Sequence, residues 1–133
     1  RGGSLAHGAW STGADLARFA AELLRPTLVH VETMAEATTV QYPELAGILP
    51  GIGPQKPNDW GLGFEIRGWK TPHWTGRTNS PKTFGHFGAA GSFLWVDPTI
   101  DRSLIVLTDR NFGPWALGAW PPLADAVVAA ATT

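Results

Sequence analysis

The stretch Thr83-Phe84-Gly85-His86-Phe87-Gly88-Ala89-Ala90-Gly91-Ser92-Phe93-Leu94-Trp95-Val96-Asp97-Pro98 decides how this chain folds. Two strand-forming runs, Thr83–Gly88 and Ser92–Val96, are separated only by Ala89-Ala90-Gly91. So short a link joins antiparallel strands, because a parallel return needs a crossover of about a dozen residues or more. A third run, Ser103–Thr108, follows the turn-rich link Asp97-Pro98-Thr99-Ile100-Asp101-Arg102. The three read as an antiparallel meander. Leu104-Ile105-Val106-Leu107 has no polar break, which predicts a strand buried on both faces.

Upstream, Leu62–Arg67 sets Leu62, Phe64 and Ile66 against Gly63, Glu65 and Arg67, the period-2 pattern of a half-buried strand. Gly68–Lys82 is an aromatic, proline-containing excursion, and Gly47–Asn58, rich in proline and glycine, reads as a loop. Helices flank these segments. Thr12 is a good N-cap for a helix over Gly13–Leu24, with Asp15 completing a capping box. Leu16, Phe19, Ala20 and Leu23 give that helix an apolar face, and Arg25-Pro26 ends it. A shorter helix is expected over His30–Ala37, with Val31, Met34 and Ala35 inward. A last one starts near Pro122, with Leu123, Val127 and Ala130 on one face. The fold class is α+β, an antiparallel sheet meander with flanking helices.

Composition bounds the function. The chain has 133 residues, 44% hydrophobic and 16% charged, enough apolar surface for one domain's core and too much for a disordered tail. Ten basic and eleven acidic residues leave a net charge of −1, which invites neither nucleic acid nor an anionic membrane. No run approaches the roughly 18 apolar residues of a membrane span. The absence of cysteine excludes a disulfide scaffold, a thiolate metal site and a cysteine nucleophile.

Catalytic machinery is hard to find. His7, His30, His73 and His86 show no metal-ligand spacing, so neither a metal nor any other cofactor is expected. Gly85, Gly88 and Gly91 match neither the dinucleotide fingerprint nor the P-loop, and close strand packing explains them better. No serine stands three residues before Lys56, Lys70 or Lys82, and no G-x-S-x-G surrounds any serine. Tyr42, the one tyrosine, does not begin a Tyr-x-Asn.

Four segments nevertheless share an order with a known family. Thr83–Pro98 resembles the His-x-Gly strand of class C β-lactamase-like esterases and penicillin-binding-protein relatives, in which G-H-x-G-x-x-G precedes an apolar strand and Asp-Pro. His7-Gly8-Ala9-Trp10-Ser11-Thr12-Gly13-Ala14-Asp15-Leu16-Ala17-Arg18-Phe19 is similar to that family's helix start. Trp60-Gly61-Leu62-Gly63-Phe64 is similar to its "Y-G-L-G-W" strand, and Leu107-Thr108-Asp109-Arg110-Asn111 to its "L-T-N-R". The resemblance spans nearly the whole chain. It implies that residues 1–133 are a single C-terminal segment of a β-lactamase/transpeptidase-like domain, whose Ser-x-x-Lys and Tyr-x-Asn motifs lie earlier in family members. Such a segment is not expected to turn over substrate alone.

The resemblance also assigns roles. His86-Phe87-Gly88 would be the third motif, lining the cleft from a sheet-edge strand. His86 would donate a hydrogen bond, or bring a charge, towards substrate or the proton network. Gly88 would let substrate lie against the strand, and the backbone N–H of Ala89 would supply half of an oxyanion hole, a donor worth roughly 3 kcal/mol in an acyl-transfer transition state. Phe87, Trp69 and Trp74 would contact substrate, with Trp69 and Trp74 exposed near the cleft. The implied partners are a small acyl substrate (a β-lactam, peptide or ester) and either the N-terminal part of the same domain or a second copy paired along the open edge of Ser103–Thr108. The compartment stays open between periplasmic, extracellular and cytoplasmic.

Plainer readings stand beside these. His7 orders the loop before the first helix, Asp109, Arg110 and Asn111 form a strand-end hydrogen-bond cluster, and Ser92 is structural. Seven tryptophans also fit a non-catalytic module that stacks carbohydrate, although tryptophans at this spread are more often core and cleft walls.

Overall fold

Phe93–Asp97 (strand β5) is the centre of the fold, and the rest is arranged by what covers its two faces. The computed structural model describes residues 8–131, so the reading of His7 lies outside the described residues. In chain order the elements are α1 (Gly13–Leu24), α2 (Val31–Ala37), β1 (Gly47–Leu49), β2 (Gly53–Gln55), β3 (Glu65–Ile66), β4 (Phe84–Phe87), β5, β6 (Arg102–Val106) and α3 (Pro114–Ala131). Strands β3-β4-β5-β6 form one antiparallel sheet in that order, and β1 and β2 form a separate hairpin. The meander and the α+β class expected from sequence are the ones observed.

One face of β5 presents Phe93 and Trp95 to α3, where Ala116, Trp120, Ala124 and Val128 complete an apolar cluster with Trp74. Its other face presents Val96 to a smaller cluster of Leu23 from α1, Ile66 and Phe84. Trp95 and Val96 are both completely buried, so β5 is the strand covered on both sides. That position was expected for Leu104–Leu107. The correction follows from topology: β6 ends the sheet, its residues Ser103–Val106 are half-buried, and Leu107 lies beyond it, exposed. An apolar run marks a strand meant to be covered, but coverage depends on a neighbour.

The helices show the same division. α1 has the expected bounds, and Thr12 accepts the Asp15 N–H at 3.2 Å as its N-cap. Its apolar face is only partly used: Ala20 and Leu23 are buried, while Phe19 is exposed. α2 starts one residue late, with His30 as N-cap, and buries nothing fully. Met34 is half-buried, but Val31 and Ala35 are exposed rather than inward. α3 departs most. It begins at Pro114, not Pro122, and runs through Pro121 and Pro122. Its buried stripe is Ala116, Trp120, Ala124 and Val128, leaving Leu123 and Ala130 exposed. A proline pair normally stops a helix; here Trp120 anchors it, contacting Phe93, Phe112 and Trp115.

Two further expectations are corrected. Gly47–Asn58 contains the β1–β2 hairpin, which proline-rich composition had masked. The strand expected over Leu62–Arg67 shrinks to Glu65–Ile66, and its supposedly solvent-facing Glu65 and Arg67 are buried. The excursion after it folds back over that face and brings its own polar partners.

Candidate active-site edge

Strand β4 meets β3 only at Glu65↔Gly85 and Ile66↔Phe84. The family's third-motif strand was expected at a sheet edge; here β4 is an inner strand whose second half, His86–Phe87, extends past its short neighbour. On its other side it pairs fully with β5, His86 facing Leu94 and Phe87 facing Phe93. Alternation then separates the two side chains. His86 is exposed, whereas Phe87 turns to the core and packs against Phe112, Trp74 and Trp120 at ring separations of 4.7, 5.7 and 6.0 Å. Phe87, expected to contact substrate, is half-buried, its ring packed against the aromatic core.

His86 stands with one edge against the Trp60 ring, centroids 5.5 Å apart and planes at 66°. Its Nδ1 lies 2.6 Å from the carbonyl oxygen of Phe87. A carbonyl only accepts, so Nδ1 carries the proton and, in the neutral ring, Nε2 keeps its lone pair. The sequence reading had His86 as a donor; the geometry makes it an acceptor at Nε2 unless the ring is protonated.

The turn after it is built by its backbone. Gly88 N–H donates to Ser92 O and Gly91 N–H to Gly88 O, both at 2.9 Å, and Ala89 O accepts from Phe112 N–H at 2.9 Å. Among the described residues the N–H of Ala89 has no hydrogen-bond partner. The three glycines serve different ends. A side chain at Gly85 would collide with the Leu94 carbonyl, and one at Gly91, where φ is 87°, with the Arg110 carbonyl. A Cβ at Gly88 meets nothing closer than 3.8 Å, so the turn itself does not require glycine there. Ser92 is structural, as expected, its Oγ accepting from Thr108 N–H at 3.3 Å.

The aromatic expectations divide as well. Trp69 is 82% exposed, as expected, but Trp74 is 1% exposed. Its indole Nε1 donates to Glu65 at 2.7 Å, so it belongs to the interior and is corrected. Trp74, Trp95 and Trp120 are all core, which removes three of the seven indoles from any carbohydrate-stacking face. The expected Asp109–Asn111 cluster is not seen among the described hydrogen bonds: Arg110 O accepts from Thr108 Oγ1, Asn111 O from Trp115 Nε1, and the Arg110 guanidinium lies 5.1 Å over Trp115.

Sequence reading missed the most concentrated chemistry in the molecule. Buried Glu65 accepts from Lys70 Nζ at 2.9 Å and Trp74 Nε1 at 2.7 Å, and lies 2.9 Å from His73 Nε2. Lys70 spends its other donors on the carbonyls of Asp59 and Ile66, and His73 Nδ1 meets Thr75 Oγ1 at 2.7 Å. Burial alone would raise the Glu65 pKa, yet the hydrogen bond and charge of His73, the charge of Lys70 and the Trp74 bond hold it below its ordinary value. Burial depresses Lys70 and His73, against the pull of Glu65. Asp97 is a second such centre, its pKa lowered against burial by bonds from Ser80, Thr83 and Thr99. Nothing local marks these carboxylates, since their partners lie on a loop with no periodicity. All their capacity is used internally, so they hold the fold together. No group of three acidic or histidine side chains among the described residues is placed to share a metal ion, and no described helix is long and apolar enough to cross a membrane.

Among curated protein sequences nothing matches. A solved structure of a β-lactamase from Mycobacterium bovis superposes with a TM-score of 0.90 at 62% identity, covering 92% of this chain and 45% of that one. The chain thus spans less than half the length of that enzyme. The Beta-lactamase family model matches residues 2–129, nearly the whole sequence, and the chain belongs to the β-lactamase family.

Proposed function

We propose that this segment supplies the third-motif strand of a serine hydrolase that forms an acyl-enzyme on an ester, amide or β-lactam. The observation that carries the reading is the turn His86–Ala89, where an exposed His86 Nε2 and the Ala89 N–H have no hydrogen-bond partner among the described residues. In such a reaction the nucleophile's attack places negative charge on the acyl oxygen, and the Ala89 N–H stabilises that charge as it develops. His86 Nε2, as an acceptor, orients a substrate donor or the hydroxyl of the proton network. Trp60 holds the imidazole from one side. The attacking serine and its base come from the remainder of the domain.

That remainder docks, in this reading, along β6 and α1. Among the described residues β6 has one unpaired edge, and Leu107 and Phe19 are exposed. An open apolar edge pairs with an available strand.

The test is turnover of a chromogenic ester and a chromogenic β-lactam by the segment alone, then joined to the upstream part of its domain. The expected result is no turnover alone, and turnover on joining that His86→Ala slows without changing thermal stability. Unchanged turnover in the joined His86→Ala protein removes His86 from the site. Upstream sequence lacking a Ser-x-x-Lys removes the hydrolase reading.

A further inference from the structure

A cavity of about 490 Å³ lies away from His86, between the loop after β3 and the middle of α3. That volume is within the range of small-molecule sites. We propose that it binds a small organic carboxylate whose body is apolar and carries a hydrogen-bond donor. This inference does not rest on the hydrolase reading.

The positive wall comes first. Arg67 lines the cavity and is buried, yet no carboxylate among the described residues is within ion-pair distance of it. Its guanidinium donates only to main-chain carbonyls: Nε to Gly76 at 3.1 Å, Nη1 to Gly68 at 3.0 Å and Nη2 to Arg77 at 3.4 Å. Three of its five N–H groups are so used, leaving one on each terminal nitrogen, the pair that grips a carboxylate. Asp125 and Asp97 act on it from a distance, and burial still lowers its pKa. Arg77, on the same wall, is exposed and makes no side-chain hydrogen bond. Of the other charged groups there, Lys70 is neutralised by Glu65, and Asp125 Oδ1 accepts from Thr78 N–H and Oγ1 at 2.8 and 2.6 Å. Asp125 keeps its charge, so Arg67 and Arg77 stand against one carboxylate and the cavity keeps a positive excess.

The opposite wall is α3. Pro121 and Pro122 have no N–H, so the carbonyls of Leu117 and Gly118 lose their helical partners where the helix borders the cavity. Those are acceptors for a ligand's hydroxyl or amide. Between the walls, Ile52, Leu117 and the proline rings supply apolar surface. A Cβ at Gly118 would meet no atom within 4 Å, so the helix leaves this space open.

The test uses 4-hydroxybenzoate as probe and 4-hydroxybenzamide as its uncharged isostere, titrated into the purified protein and followed by the backbone amide signals of Gly76, Arg77, Gly118 and Asp125. Saturable shifts with the carboxylate and none with the amide are expected. Arg77→Ala weakens binding about tenfold with unfolding temperature unchanged, the scale of one charge-assisted hydrogen bond. Gly118→Leu, which fills the opening while favouring the helix, abolishes binding. Equal binding of the amide, unchanged affinity in Arg77→Ala, or no shift with the carboxylate in a folded protein overturns the proposal.

Discussion

Two histidines set the two halves of this molecule apart. His73 is buried with both ring nitrogens engaged, by Thr75 and Glu65, inside a cluster whose every charge is answered. His86 is exposed, holds one nitrogen against its own strand and leaves the other free. Both sit in aromatic surroundings. The difference teaches that chemical residue type alone does not mark a site: the Glu65 cluster has more titratable groups, but it has no capacity left for a ligand. The turn after β4 has fewer groups and keeps Nε2 of a neutral His86 and the Ala89 N–H available.

The comparison predicts opposite responses to substitution. The largest effect is expected at Glu65→Ala, which leaves Lys70 as a buried, unpaired charge; chemical denaturation should show a loss of about 3–5 kcal/mol. A loss below about 1 kcal/mol, the level of an exposed ion pair, would mean that the cluster is more open than its burial indicates. Acid should act on the same half. The pKa values of His73 and Glu65 are depressed in the folded protein, so the unfolded chain binds protons first and stability falls with decreasing pH. The decline begins near the ordinary histidine value of 6.5 and steepens below the ordinary glutamate value of 4.5. Thermal unfolding followed across that window measures it, and a flat profile from neutrality to pH 5 would contradict the assignment of His73.

On the other half the effects are smaller and uneven. Gly91→Ala forces a side chain onto a residue at φ 87° that already abuts Arg110 O, and is expected to cost about 1–3 kcal/mol. Gly88→Ala, two residues from His86 in the same turn, has room and should stay within about 0.5 kcal/mol. His86→Ala should also stay within about 0.5 kcal/mol, its consequence being confined to turnover in the joined protein. If His86→Ala destabilised as much as Glu65→Ala, the contrast between the halves would collapse.

Much of the fold was legible because it is written in local signals. The cap at Thr12, the stop at Arg25-Pro26 and the three strands spaced by short turns each follow from neighbours in sequence. The turn that holds His86, Gly88 and Ala89 was legible because its residues are contiguous in sequence. The errors share a cause of the opposite kind. Glu65 and Arg67 were placed outward because period-2 alternation cannot foresee a loop that returns to cover them. Trp74 was placed at the cleft because an indole is equally at home in a core, and only the packing of α3 distinguished the two. The start of α3 was misplaced because Pro121-Pro122 resembles a helix beginning, and the tertiary anchor at Trp120 overrides that signal.

By itself, then, the chain's residue order determined the antiparallel meander, the first helix and the placement of the His86 turn, since these depend on hydrogen bonds and φ/ψ preferences within a few residues. The burial of Glu65, the covering of both faces of β5, the open edge at β6 and the cavity between Arg67 and Gly118 were decided only in three dimensions. Each depends on which distant segments meet, and a carboxylate or an apolar strand acquires its environment from those contacts rather than from its neighbours in sequence.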